Sequence, residues 1–248
     1  MNTITATNSF SPQHLLLLTK RIFAFNKKTW LTGAIIVYGF LALIWFVPIF
    51  TAFHVWHDFQ TSRLLSAATF FYSLGGLFIT SSIFDQLHTP NTAFLELTLP
   101  ATTFEKLLSS WLISSVLFSV VSIAGYFILI TFLQLITTFI GPSNFSMEIF
   151  NPFNWEIIKL VLTYFVYHSL FMLGSVYFKK NNFLKTLLVL ILISVSFAFI
   201  TGLLAFFQAD NTIRFNEISS TVTYIIFLTI IALMYFFSYI RLKNRQIA

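Results

Sequence analysis

Few side chains in this sequence could do chemistry, and they do not gather. His54, His57 and Asp58 come closest to a metal set, because an i, i+3 spacing brings two imidazoles to one helix face. No third histidine lies near them in the chain, so the spacing does not amount to a metal site. His168 is the best titratable group inside an apolar run, with Tyr164 and Tyr167 beside it. It reads either as a proton relay or substrate contact, or as a histidine hydrogen-bonded and packed between helices. Cysteine is absent, which removes disulfides, thiolate zinc sites and a cysteine nucleophile. H-E-x-x-H, G-x-S-x-G and G-x-x-x-x-G-K-[ST] do not occur either, so the chain shows no motif of its own for hydrolysis or for ATP.

One polar stretch stands out, Asp85–Lys106, DQLHTPNTAFLELTLPATTFEK. Thr89-Pro90 reads as a helix start, since proline suits the first helical position. Pro90–Leu97 then has room for about two turns. That short helix would place Phe94 and Leu97 on one face with Leu95 beside them, and Pro100 would stop it. Thr102 and Glu105 have the spacing of a capping box for a new helix, which runs at once into apolar sequence.

The elements that must hold this stretch are membrane spans. The chain has 248 residues, 57% hydrophobic and only 9% charged, whereas a soluble domain is about a quarter charged. About 20 apolar residues cross a bilayer. Runs of that kind cover about 31–50, 64–84, 107–140, 155–177, 183–207 and 222–240. The expected fold is therefore all-α and polytopic, one transmembrane domain over residues 1–248 with six transmembrane helices. Residues 10–28 carry Leu15, Leu18, Ile22 and Phe25 at helical spacing among Lys20, Arg21, Lys27 and Lys28. This pattern predicts an amphipathic N-terminal interfacial helix. Span 2 carries a strip of small residues, including Gly75, Gly76 and Ser81, suited to close helix contact. Of the 14 basic residues, all but Arg63, Lys159 and Arg214 fall on one side of this arrangement. The positive-inside rule then places both termini and the 85–106 loop in the cytoplasm. The net charge of +6 is thus placed at one membrane face and is no sign of nucleic-acid binding.

The loop resembles that of type-2 ABC transporter permeases. The residues that carry the likeness are Glu96-Leu97-Thr98-Leu99-Pro100-Ala101-Thr102-Thr103-Phe104-Glu105-Lys106, an L-x-L-P-[AS]-[ST]-x-x-E-K pattern. His88 and Thr92 also match the small Bacteroidetes-type members, and the six-span layout with an amphipathic N-terminal helix agrees over nearly the whole chain. The resemblance implies the transmembrane subunit of an exporter in a bacterial cytoplasmic membrane. It implies a separate ATPase subunit that binds ATP and magnesium, and a second permease subunit, identical or related. This chain would then hold no cofactor and would not itself be an enzyme. A short coupling helix between spans 2 and 3 would present Pro90, Asn91, Phe94, Leu95, Glu96 and Leu97 to the ATPase. Leu99, Pro100, Thr102, Glu105 and Lys106 would complete the signature. The short segment between spans 5 and 6 departs from larger members, which carry extra helices there, so the resemblance implies no polysaccharide- or lipid-specific cargo; the apolar, aromatic spans fit a hydrophobic or amphipathic one.

Two other readings compete. In one the chain is a membrane anchor or assembly subunit whose loop docks a soluble partner without transport. In the other it is an intramembrane enzyme using His168 or the His54, His57, Asp58 group, against which the missing catalytic motifs count.

Overall fold

The computed structural model describes residues 10–51, 59–88, 92–93, 99, 101–140, 150–208 and 220–247. The helices are α1 (Pro12–Thr51), α2 (Phe59–Ser82), α3 (Thr103–Trp111), α4 (Phe118–Ile140), α5 (Trp155–Tyr177), α6 (Asn182–Gln208) and α7 (Ser220–Ile247). A 3-10 turn, Asp85–His88, follows α2, and a π-helical segment, Leu112–Leu117, joins α3 to α4. No strand occurs among the described residues. Six helices are long and apolar enough to cross a membrane, with α3, the π segment and α4 counting as one. The protein is a polytopic all-α membrane protein.

One expectation changes. The N-terminal amphipathic segment is not a separate interfacial helix, because α1 runs without a break from Pro12 to Thr51. Its sequence holds no proline after Pro12 until Pro48, and its glycines are isolated, so nothing interrupts the backbone ladder at the junction. The metal candidates His54, His57 and Asp58 lie outside the described residues, as do the 141–149 turn and the 209–219 loop.

The chain forms two compact units, Met1–Ile79 with Pro100–Tyr164, and Thr80–Leu99 with Phe165–Ala248. The first unit is built on Leu41, Trp45, Leu64, Tyr126, Ile130 and Leu133. Trp45 is 1% exposed and needs a partner for its indole N–H. It donates to Thr137 Oγ1 at 2.9 Å, while the Thr137 hydroxyl donates to Leu133 O at 2.8 Å. Gly76 lets two rings close in: a Cβ there would lie 2.5 Å from Tyr164 Cε2 and 2.6 Å from Phe118 Cε1. The small residue in span 2 thus does what its type predicts.

The second unit repeats the device at Gly174, where a Cβ would collide with Thr186. Phe171 and Phe183 pack beside it with ring centroids 5.4 Å apart. Asn181 closes the turn from α5 to α6 in the left-handed region, at φ 54°, a conformation that asparagine tolerates better than most residues. Further along, α6 is exposed at every position from Ile191 to Gly202. An apolar helix with so little protein around it fits a lipid-facing span.

Candidate functional site

The two ends of the 85–106 stretch are held by polar contacts, and each end belongs to its own unit. At the upstream end α2 gives way to the 3-10 turn Asp85–His88. Asn182, 4% exposed at the start of α6, donates through Nδ2 to Asp85 Oδ1 at 2.9 Å and makes a longer bond to Ser81 O at 3.4 Å. His88 faces the last turn of α5 with Nε2, 2.8 Å from Ser175 O. Its Nδ1 lies 3.0 Å from Arg245 Nη1 near the end of α7. A guanidinium only donates, so Nδ1 must accept and Nε2 must carry the proton that goes to the Ser175 carbonyl. The contacts therefore select the neutral Nε2–H form of His88. Four parts of the second unit, the turn and the ends of α5, α6 and α7, meet at these residues. Thr92 continues the loop and donates its hydroxyl to Gln86 O at 2.8 Å.

At the downstream end the predicted capping box forms. Thr102 Oγ1 accepts the Glu105 N–H at 3.2 Å, and Glu105 Oε2 accepts the Thr102 N–H at 2.7 Å. Glu105 does more than the box requires. Its Oε1 accepts the N–H of Ser11 at 2.6 Å, and His14 Nδ1 lies 4.0 Å away. Ser11 is the residue before α1, and its carbonyl accepts the first intrahelical bond, from the Leu15 N–H at 3.1 Å. One fully buried carboxylate thus serves the N-terminal ends of α1 and α3 together. Helix N-termini carry partial positive charge and unpaired N–H groups, so a shared anion satisfies both. Phe10 and Phe104 close over the junction edge to face, with centroids 6.0 Å apart. Lys106 is buried at 7% exposure and sends its own N–H to Thr102 O at 3.1 Å.

Of the signature residues, Leu99 is half-buried at a bend, and Thr102, Glu105 and Lys106 come together as above. Pro100 lies outside the described residues, as do all six ATPase-contact candidates: Pro90, Asn91, Phe94, Leu95, Glu96 and Leu97.

The α5 candidates separate. Tyr164 is 2% exposed and donates its hydroxyl to Ser114 O inside the π segment of the first unit. His168 is fully buried in the second unit, with Nδ1 2.8 Å from Tyr235 Oη. Tyr167 is 49% exposed, on a different face of the helix. His168 is thus a hydrogen-bonded histidine packed between helices, while Tyr167 lies away from both.

Sequence reasoning missed the π segment and the hydroxyl cluster around it. Ser114 and Ser115 donate to the carbonyls of Ser110 and Trp111 at 2.8 and 2.7 Å, a back-bonding that disturbs a helix ladder. Close by, the Tyr72 and Ser119 hydroxyls are 2.7 Å apart. The repeated serines of Ser109–Ser119 were the available signal. Among the described residues no three His, Cys, Asp or Glu side chains come together as a metal site. No family model, curated protein or solved structure matches the chain.

Proposed function

We propose that this chain is the permease subunit of an ATP-driven ABC exporter. In this reading it sits in a bacterial cytoplasmic membrane with both termini and the 85–106 loop in the cytoplasm. It pairs with a second permease subunit and with separate ATPase subunits that bind ATP and magnesium. The cargo is hydrophobic or amphipathic. The L-x-L-P-A-T-x-x-E-K signature supplies the class.

The observation that carries the reading is the anchoring of the loop. Asp85 and His88 tie its start to α5, α6 and α7, and Glu105 ties its end to α1. The chain passes from one unit to the other within it, between Leu99 and Pro100. Such ties suit a loop that receives a push from a soluble partner, because slack at either end would absorb the motion before any span moved. The spans also offer no power source, being almost free of charged residues.

The test is purification of the tagged chain in mild detergent from its native membrane, with mass spectrometry of what accompanies it. A P-loop ATPase is expected, and its hydrolysis should lose its response to this chain in Phe94→Asp and Glu96→Arg variants that still fold. Recovery of the chain alone, or of a partner without a nucleotide site, would replace the exporter by the membrane-anchor reading.

A further inference from the structure

The upstream anchor is also a concentration of unneutralised positive charge. The described part of the second unit carries Lys179, Lys180, Lys185, Arg241, Lys243 and Arg245 against a single acid, Asp85. All of these cations lie just after α5, in the first turn of α6 or in the last turns of α7. The His88 bonds to Ser175 and Arg245 join the ends of α5 and α7, and the Asn182 bond to Asp85 adds the start of α6. Asp85 is occupied by Asn182. Among the described residues no carboxylate forms an ion pair with any of the six.

Two of these cations rest on rings instead. The Arg241 guanidinium lies 5.1 Å from the centre of the Tyr177 ring, and Lys185 Nζ lies 5.9 Å from that of Phe178. The two rings are themselves 5.5 Å apart, which makes one aromatic shelf with a cation at each end. An aromatic face orients a cation and leaves its charge available. Arg245 adds the decisive detail. Its Nη1 is used on His88, but its Nη2 is shielded from solvent and has no hydrogen-bond partner. A buried guanidinium donor left unpaired is costly, and it marks a place where an acceptor belongs.

We propose that this end of the second unit binds the phosphate of an anionic phospholipid. Arg245 Nη2 supplies the buried donor, and Arg241 and Lys185 form the charged rim on the aromatic shelf. The position fits a headgroup because the cations sit where three apolar spans end, at the edge of the hydrocarbon layer. Guanidinium is a strong phosphate donor, and Arg245 Nη2 is the part of it without a partner. A zwitterionic lipid brings its own ammonium into a field that is already strongly positive, so a net negative headgroup is selected. The inference does not rest on the exporter reading.

The experiment is native mass spectrometry of the full chain in mild detergent, given equimolar phosphatidylglycerol and phosphatidylcholine. Phosphatidylglycerol should be retained at least tenfold over phosphatidylcholine. Arg241→Gln and Lys185→Gln, both at exposed positions, should each lower its retention about fivefold, the worth of one interfacial cation. Arg245→Gln should lower it at least as far, and Lys20→Gln, in the first unit, should leave it unchanged. Unaltered melting in lipid-free detergent checks that Arg241→Gln and Lys185→Gln remain folded. Equal retention of the two lipids would overturn the proposal, as would undiminished retention in Arg241→Gln and Lys185→Gln. Displacement of the lipid by millimolar inorganic phosphate would reassign the site to a free anion. Capture of an acidic soluble protein without lipid discrimination would reassign it to a protein partner.

Discussion

Replacing Glu105 by alanine should free the start of α1 while the spans stay folded. The carboxylate accepts two backbone N–H bonds, from Ser11 at 2.6 Å and Thr102 at 2.7 Å. A hydrogen bond to a charged group is worth about 1.5–3 kcal/mol, so the lower figure taken twice gives about 3 kcal/mol. Both donors lie at helix N-terminal ends, so the loss falls on local opening there. A change of 1.4 kcal/mol is about tenfold in an equilibrium, so amide exchange at Ser11 and Thr102 should rise about a hundredfold. Glu105→Gln keeps one acceptor oxygen but turns an NH2 toward the second donor, and it should give about tenfold by the same conversion. The assay is hydrogen–deuterium exchange by mass spectrometry on the full chain in nanodiscs. It would follow peptides over residues 10–15 and 101–106, with α5 as internal reference. Unchanged exchange at Ser11 in Glu105→Ala would refute the idea that one carboxylate joins the two helix ends. An equal rise throughout α5 would show that the residue supports the whole fold instead.

Two further outcomes follow from packing. Gly76→Val should lower the melting temperature in detergent, with an overpacking cost of about 1–3 kcal/mol. Gly75→Ala should not, because a Cβ at Gly75 meets its nearest atom, Phe118 Cζ, at 4.0 Å; equal effects at the two glycines would contradict the close approach of Tyr164. For His168, a double-mutant cycle with His168→Ala and Tyr235→Phe should give a coupling of about 1 kcal/mol in thermal unfolding. Strict additivity would show that their 2.8 Å contact contributes nothing.

The spans were legible because each is a long apolar run bounded by polar residues, and a bilayer-crossing helix needs little else. The capping box was legible for a similar reason, since Thr102 and Glu105 lie three residues apart and the motif is local. What escaped is what depends on distance along the chain. Glu105 meets Ser11 across 94 residues, and Arg245 meets His88 across 157. No periodicity encodes which helix end a carboxylate will reach. The amphipathic start of α1 was misjudged as a separate helix because its charge pattern describes a face, and a face does not require a break. The separation of Tyr167 from Tyr164 and His168 was not available from spacing. Spacings of three and of four both bring side chains to one helix face, so only the packing around α5 distinguishes the exposed Tyr167 from the buried Tyr164 and His168.

The π segment makes the third span two helices out of step. Inward-facing positions run Lys106 and Ser110 before it, Ile113, Ser114 and Ser115 within it, and Ser119, Tyr126, Ile130, Leu133 and Thr137 after it. The Phe118 N–H bonds to Ile113 O, five residues back, where an α-helix reaches four. One surplus residue amounts to about 100° of rotation and about 1.5 Å of advance. It is the helical counterpart of a dislocation in a crystal, a single defect that resets the orientation of everything beyond it. The serine-rich inward stripe of α3 and the apolar one of α4 are thereby aimed independently, and a wheel drawn across the whole span as one cylinder turns one part by about 100° against the other.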